Sequence, residues 1–296
     1  MALPVETLQA AAQPTPVGRR RLQMNWKLTA GLVLVLAPLL AGLAAPLLVS
    51  AQAYRVGAYL PNLTPSPQHL LGTDTTGRDL LAELLYSILP TLEIGVLAGV
   101  LGTLLGVALG LVSGYVRGLL DAILRTTADV MLGVPSLAVL VVLAAFLGSS
   151  SIAELALIIA TFSWMGAARS IRAQVLSLRD QSYVLVSRLS GRTAIEIMFL
   201  ELLPNLLPLV MAGLVGAVSG AMLGAVGLQL LGLGPIATPT LGLMLQTSFG
   251  AGALVQGMWW WWGPPTMVLT LIFVGLLLIS MALDEIANPR LQGTAG

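Results

Sequence analysis

The chain has 296 residues, of which 57% are hydrophobic and 9% are charged, with a net charge of +1 and a mean hydropathy of +0.93. Because about 25% of the residues in a soluble domain are charged, this composition excludes a soluble globular protein and predicts an all-α protein that crosses a membrane several times. The absence of cysteine excludes a disulfide framework and thiolate chemistry, and the small net charge gives no indication of nucleic acid binding.

The first hydrophobic run, residues 28–49, is long enough to cross about 30 Å of hydrocarbon. It is too long for the apolar region of a secretory signal peptide, and no cleavage site of the A-x-A type precedes a mature domain. We therefore predict a cytoplasmic N-terminal tail at 1–27 and a retained transmembrane helix at 28–50. The arginines at 19–21 should hold the tail in the cytoplasm.

Further apolar runs predict five more transmembrane helices in a core of residues 91–287, followed by a cytoplasmic tail at 288–296. The runs lie at 91–115, 128–147, 152–168, 203–227 and 266–283. With six spans and both termini in the cytoplasm, only Arg55 and Arg78 among the basic residues lie outside, as the positive-inside rule requires. The basic residues expected in the cytoplasm are Arg19, Arg20, Arg21, Lys27, Arg117, Arg125, Arg169, Arg172, Arg179, Arg188, Arg192 and Arg290.

Two segments, 51–90 and 228–265, are predicted to lie on the external side. Glycine and proline interrupt the second segment, so its apolar pieces are too short to span and should lie in the interface or fold back over the bundle. The tryptophans at 259–262 favour anchoring at the lipid headgroups. Stacking of these rings on a sugar or a base is the alternative.

Two of the predicted spans carry glycine at every third or fourth position. The second span has Gly95, Gly99, Gly102, Gly106, Gly110 and Gly114, and the fifth has Gly213, Gly216, Gly220, Gly224 and Gly227. Small residues at this spacing let helix backbones approach closely in lipid, which predicts helix packing. The alternative is that these faces also slide during a working cycle.

A polar stretch, 169–205, interrupts the hydrophobic pattern between the fourth and fifth spans. Arg169 and Arg172 are predicted to end the fourth span on the cytoplasmic side. Residues 182–189 are compatible with a short helix, and Gly191 is placed to end it in the left-handed conformation.

The sequence after this glycine predicts a second helix that continues into the fifth span. Thr193 and Glu196 form the S/T-x-x-E pattern of a capping box. Leu185 and Leu189 are one turn apart and give the short helix an apolar edge beside its arginines. Because a simple helix connection needs only about two to eight residues, this longer element is predicted to be a docking knob for a cytoplasmic partner.

The knob resembles the cytoplasmic loop of ABC importer permeases, whose signature is EAA-x3-G-x9-I-x-L-P. Leu185-Val186-Ser187 stand where E-A-A would, Gly191 is the glycine, and Leu203-Pro204 stand at the end of the pattern. Two positions depart from it, because Leu185 replaces the acid and Glu201 replaces the isoleucine.

Four other segments resemble the dipeptide/oligopeptide branch of these permeases, in the expected order. They are HLLGTDTTGRDLL (69–81), GYVRGLLDAILRTTADVMLGVPSL (114–137), LQLLGLGPIATPTLGLML (228–245) and ANPRLQ (287–292). Leu241 departs from the tryptophan that the family has in the third of these segments. The resemblance covers residues 26–292.

The resemblance implies a type I importer permease in the bacterial inner membrane, paired with a second homologous permease. It also implies two cytoplasmic ATPase subunits and an external solute-binding protein, with ATP and magnesium bound by the ATPases and no cofactor in this chain. The sequence has no phosphate-binding loop of the G-x-x-x-x-G-K-[ST] type. The residues expected to couple to the ATPase are Ser182, Tyr183, Leu185, Ser187, Arg188, Leu189, Gly191 and Arg192.

The resemblance leaves the substrate open, since the branch carries peptides, nickel chelates and oligosaccharides. The missing acid is compatible with a heterodimer in which the other permease carries the fuller motif.

Two other functional classes compete with a permease. An intramembrane protease or hydrolase would depend on His69, the single histidine, which lies in the external segment. Asp129 and Glu154 lie near span ends and are interpreted as interface or packing carboxylates. An ATP-independent carrier often has inverted repeats and a charged site in mid-membrane, and the sequence shows neither.

Overall fold

The computed structural model describes residues 26–148 and 151–287, and its elements in this part are helical. The helices are α1 (Trp26–Leu48), α2 (Leu80–Val116), α3 (Leu119–Gly133), α4 (Ser136–Leu147), α5 (Ile152–Leu178), α6 (Ser182–Leu189), α7 (Ala194–Glu196), a π-helical turn (Ile197–Leu202), α8 (Leu203–Leu230), α9 (Leu241–Gly250) and α10 (Trp259–Ala287). The helical bundle is confirmed, while most of the tail predicted at 1–27 and all of the tail at 288–296 lie outside the described residues.

Six spans result only when one bent pair of helices is taken as a single span. In the part of the chain that the structure describes, five helical segments are long and apolar enough to cross a membrane unaided. The predicted third span, 128–147, is instead divided into α3 and α4, which meet at 89°. Pro135 explains the break, because the residue before a proline avoids the helical conformation, and Val134 is extended at ψ 136°.

Several helices extend beyond the apolar runs that predict them, and α2 and α5 do so by the most residues at one end. Helix α2 begins at Leu80, well before residue 91, because the Asp79 side chain accepts a hydrogen bond from the Ala82 amide at 3.0 Å and caps the helix. Helix α5 continues to Leu178, so Arg169 and Arg172 do not end it. Arginine is a good helix former and is tolerated where the helix leaves the membrane.

The glycine face of α2 is packed against two neighbouring helices. A Cβ on Gly102 would lie 2.3 Å from the Ser163 Cβ of α5, and one on Gly106 would lie 2.5 Å from the Trp164 carbonyl oxygen. Nearer the start of α2, a Cβ on Gly95 would lie 2.1 Å from the Met222 side chain of α8. The packing prediction is therefore confirmed for this stripe.

The glycine face of α8 is different. A Cβ at Gly213, Gly216, Gly220 or Gly224 would meet no atom within 4 Å in the described part of the chain. Only Gly227 approaches a neighbour, the Leu137 side chain, at 3.2 Å. Within the described part of the chain, a packing partner is therefore found for only one of the five glycines of the fifth span.

The segment after α8 folds back over the bundle. Helix α9 is too short to span, and its first amide, at Leu241, donates a 2.9 Å hydrogen bond to the Thr91 hydroxyl of α2. The tryptophan run forms the first turn of α10, and Trp261 is 1% exposed in the core. Headgroup anchoring is therefore wrong for Trp261, while Trp259 is exposed as an anchor requires.

Contacts place most of the described arginines at one end of the bundle, beside the end of α2. Arg179 donates to the Gly114 carbonyl, and Arg188 donates to the Tyr115 hydroxyl. Arg78 lies at the opposite end of the same helix, just before its first residue. The positive-inside rule assigns the end with more arginines to the cytoplasmic side.

We predict that the arginine-rich end faces the cytoplasm. In this cysteine-free chain, a membrane-impermeant thiol reagent applied to intact cells should label Gln68→Cys and spare Gln181→Cys. Both positions are exposed, so accessibility to the reagent depends on the side of the membrane. Permeabilised cells provide the control, since there both variants should react. Labelling of position 181 in intact cells would show that the arginine-rich end faces outward.

We also predict that the two glycine stripes differ in their tolerance of a methyl group. Gly102→Ala should lower the thermal unfolding midpoint of the purified chain, because overpacking costs about 1–3 kcal/mol and the new Cβ would overlap Ser163. Gly216→Ala is the matched control, with open space around its Cβ and a better helix former in place of glycine. Equal midpoints for the two variants would contradict this account.

Candidate functional site

The predicted docking element, residues 182–202 and called the knob below, forms a compact helix–turn–helix at the arginine-rich end. Helix α6 spans Ser182–Leu189, the range expected from the sequence, and Gly191 is left-handed at φ +80°. The Gly191 amide donates to the Arg188 carbonyl at 3.0 Å, and the Arg192 amide donates to the Ser187 carbonyl at 3.2 Å. These two bonds form a complete Schellman motif, so the glycine stop is confirmed.

The capping box after the glycine is also present. The Thr193 hydroxyl accepts from the Glu196 amide at 3.3 Å, while the Glu196 carboxylate accepts from the Thr193 amide at 2.7 Å. The chain then continues through the π-helical turn into α8, as expected for a helix that joins the fifth span. The turn between the two helices is therefore fixed on both sides by local hydrogen bonds.

Helix α6 turns one face to the bundle and the other face outward. Val184 is fully buried against Ile197, Leu202 and their neighbours, and Ser187 is nearly buried. Leu185 is 46% exposed and Leu189 is 88% exposed. The apolar edge predicted from the sequence is therefore an outward-facing edge that no other described part of the chain covers.

Glu201, the acid at the isoleucine position of the signature, ties α6 to the π-helical turn. Its carboxylate accepts a 3.0 Å hydrogen bond from the Ser187 hydroxyl and pairs with Arg192. A π-helical turn adds a residue to the helix, and such turns often lie at functional positions. The sequence showed Glu201 as a departure from the pattern but gave no sign of the partners it would contact.

Ser182 and Tyr183 form the start of α6. Both are exposed, although the Tyr183 ring is partly covered. Burial, and secondly the charge of Glu201, raises the pKa of the Tyr183 phenol above its ordinary value. The phenol therefore remains a neutral hydrogen-bond donor at physiological pH.

Arg188 is held against the end of α2 and does not project freely. Its guanidinium lies 5.1 Å from the centre of the Tyr115 ring, and its Nε donates to the Tyr115 hydroxyl at 3.2 Å. A guanidinium over an aromatic face is stabilised by cation–π attraction. Sequence reasoning singled out Arg188 but missed Tyr115, since the two lie far apart in the chain.

Arg179 is the deepest of the described cations in this region, and sequence reasoning also missed its role. Its side chain is almost fully buried, and it donates from Nη1 to the Gly114 carbonyl at 3.1 Å and to the Tyr115 carbonyl at 3.4 Å. These carbonyls belong to the last turn of α2, which has no further amides to satisfy them. The cation therefore caps α2 and stabilises the negative end of its dipole.

A second polar contact, which is partly buried, fixes the elbow between α2 and α3. Arg172 of α5 donates from Nε and Nη2 to the two oxygens of Asp121 at 2.6 and 2.8 Å, and the Ser113 hydroxyl donates to the same carboxylate at 2.5 Å. Bidentate pairing of this kind is both strong and directional. Together with Arg179 and Arg188, it joins α2, α3, α5 and α6 at one end of the bundle.

The residues that an enzyme would require have other partners. His69 Nδ1 lies 2.8 Å from the Asp79 carboxylate, in the turn that precedes α2. Glu154 forms a capping box with Ser151, and Asp129 forms a loose ion pair with Arg169 at 4.0 Å. Within residues 26–148 and 151–287, no group of three or more acidic, histidine or cysteine side chains could hold a metal ion.

Known proteins resemble the chain over most of its length. Residues 106–293 match the family described as binding-protein-dependent transport system inner membrane component. The chain is 29% identical, over 92% of its length, to the dipeptide transport system permease protein DppC of Bacillus subtilis (strain 168), of which 85% is covered. It is 33% identical, over 78% of each chain, to the oligopeptide transport system permease protein OppC of Lactococcus lactis subsp. cremoris (strain SK11).

We predict that the charge of Glu201 holds the knob closed against the bundle. Glu201→Gln can still accept from Ser187 but cannot pair with Arg192, and a partly exposed ion pair contributes up to about 1 kcal/mol. Amide hydrogen exchange in α6 should therefore rise by up to about fivefold.

Arg192→Lys retains the positive charge and is the matched control, with exchange in α6 close to that of the unmodified chain. Unchanged exchange in Glu201→Gln would show that the ion pair does not hold α6 against the bundle. A fall in the unfolding midpoint of the whole bundle would instead assign Glu201 to general stability.

Proposed function

The chain belongs to the binding-protein-dependent transport system inner membrane component family and is a permease component of an ABC importer in the bacterial inner membrane, and from this premise we propose that α6 couples it to a cytoplasmic ATPase. The observation that carries this proposal is the exposed apolar edge of α6, with Leu189 at its tip. An apolar side chain of this size is stabilised when a partner covers it. The backbone amides of the turn after α6 already have hydrogen-bond acceptors within the chain.

The anchoring of α6 supports its role as a transmitter of movement. Buried Val184 packs against the start of the fifth span, while Arg188 rests on Tyr115 of α2. Because packed interiors transmit displacement with little compression, a push on α6 would reach both helices. ATP and magnesium would be bound by the partner, and the mechanical step would be a rigid-body movement of the bundle.

We assign the open face of α8 to a second, homologous permease. Four of its five glycines meet no described neighbour, and a cavity of about 370 Å³ lies between this face, α2, α5 and α10. Small residues allow another helix to approach closely, which is how helices associate in lipid. The translocation path would then lie between the two permeases, and this chain would form one half of it.

The substrate we propose is a peptide-like solute delivered by an external binding protein. The names of the relatives support this class, since they are dipeptide and oligopeptide permeases. Competition of labelled di- and oligopeptide uptake by unlabelled peptides, in cells with and without this chain, tests it. Uptake that does not depend on the chain would contradict the proposed substrate and leave the coupling role standing.

We predict that Leu189→Ala weakens ATPase association by more than tenfold, because an apolar anchor at an interface contributes about 2 kcal/mol or more. Copurification of ATPase subunits with the tagged chain, together with solute uptake, measures the effect. Leu119→Ala is the matched control, since Leu119 is similarly exposed near the same end of the bundle but lies on α3.

Arg188→Glu is a poorer probe, because it also breaks the contact with Tyr115. Leu189→Ala should leave the unfolding midpoint of the chain unchanged, which separates loss of docking from loss of folding. Full association and full uptake in Leu189→Ala would show that another part of the importer couples to the ATPase.

A further inference from the structure

A basic cavity lies between α2, α3 and α5, away from the coupling knob. Its volume is about 170 Å³, and its lining includes three arginines but a single carboxylate. The charged lining residues are Arg125, Arg169, Arg172 and Asp129. The cavity therefore has an excess of positive charge, which favours an anionic ligand.

Two of these arginines have capacity to bind a ligand. Arg172 is engaged by Asp121 through two hydrogen bonds, whereas the Arg169 guanidinium lies 4.0 Å from Asp129, too far for a hydrogen bond. Arg125 makes no hydrogen bond and no ion pair within 4.0 Å in the part of the chain that the structure describes, and only the more distant charge of Asp121, one turn earlier on α3, acts on it. Guanidinium groups match the oxygen geometry of a phosphate.

An exposed apolar track leads from this cavity along the bundle. Leu109 of α2 and Trp164 of α5 line the cavity. One and two turns back along α2, Leu105 and Leu101 are 47% and 42% exposed, and Leu157 of α5, two turns before Trp164, is 57% exposed. Residues at this spacing share a helix face, so exposed apolar side chains on α2 and on α5 each continue from the cavity toward the middle of the span.

The charged side chains and the tryptophan that line the cavity favour a position at the membrane surface. Helix α3 has an apolar outer side, with Ile123 and Val130 more than half exposed, while its polar residues Arg125 and Asp129 line the cavity. Arg125 and Asp129 lie within the first three turns of α3, which begins at the arginine-rich end of the bundle, so their depth suits the lipid headgroups. Tryptophan, here Trp164, is enriched at the same depth.

We propose that this cavity binds the headgroup of an anionic phospholipid, with an acyl chain along the track of Leu101, Leu105 and Leu157. Basic pockets between transmembrane helices bind such headgroups, and the apolar track gives a lipid a contact that free phosphate cannot make. The ligand would lie across α2, α3 and α5 beside the Asp121–Arg172 pair, and it would stabilise the elbow on which the knob rests.

Native mass spectrometry of the full-length chain in neutral detergent, titrated with phosphatidylglycerol or phosphatidylcholine, tests this proposal. Phosphatidylglycerol should bind in preference, and excess inorganic phosphate should not displace it. Each arginine near an anionic lipid contributes about 1 kcal/mol, so Arg125→Gln with Arg169→Gln should weaken phosphatidylglycerol binding by about thirtyfold.

Arg117→Gln removes one positive charge at the same end of the bundle, outside the cavity, and should bind as the unmodified chain does, whereas Arg125→Gln alone should weaken binding by about fivefold. Arg169→Lys should retain most of the binding and shows that the site tolerates substitution. Unchanged binding in the double variant would overturn the proposal. Displacement by inorganic phosphate would also overturn it, as would loss of the bound lipid in the assembled importer, since a partner chain would then cover the cavity.

Discussion

The close approach of α2 and α5 is the constraint on which the rest of the structure depends. Lipid tails are as apolar as leucine, so two helices in a membrane gain little from excluding water and rely on dispersion contacts. Gly102, Gly106 and Gly110 remove the side chains that would keep the two backbones apart. This contact also fixes the relative position of the two helix ends that carry the polar cluster.

Those helix ends carry charged side chains, which would be costly to place in the hydrocarbon interior. Arg179 satisfies the last carbonyls of α2, and Arg172 holds Asp121 at the elbow that begins α3. A buried cation without partners would be costly, so these residues need the helix ends to lie where the glycines place them. Helix α6 then rests on a rigid base, and its exposed leucines are the part left to a partner.

The sequence predicted what is local and missed what is long-range. The bounds of α6, the left-handed Gly191 and the capping box of Thr193 depend on neighbouring residues, and all three were predicted correctly. The pairing of Arg188 with Tyr115 spans 73 positions, and no periodicity reports such a contact. The burial of Trp261 was missed for a related reason, because an aromatic run at a span end suits a core as well as an interface.

The two glycine stripes have similar spacing but different surroundings in the described chain, and the sequence pattern alone could not distinguish them. Each glycine in a helix costs about 1 kcal/mol relative to alanine, and along α2 the close contacts with α5 and α8 offset that cost. Along α8, four of the glycines have no such contact within the described chain. The second permease that we propose would offset their cost if one of its helices approached this face as closely as α5 approaches α2. The open stripe is thus a physical argument in favour of that proposed pairing.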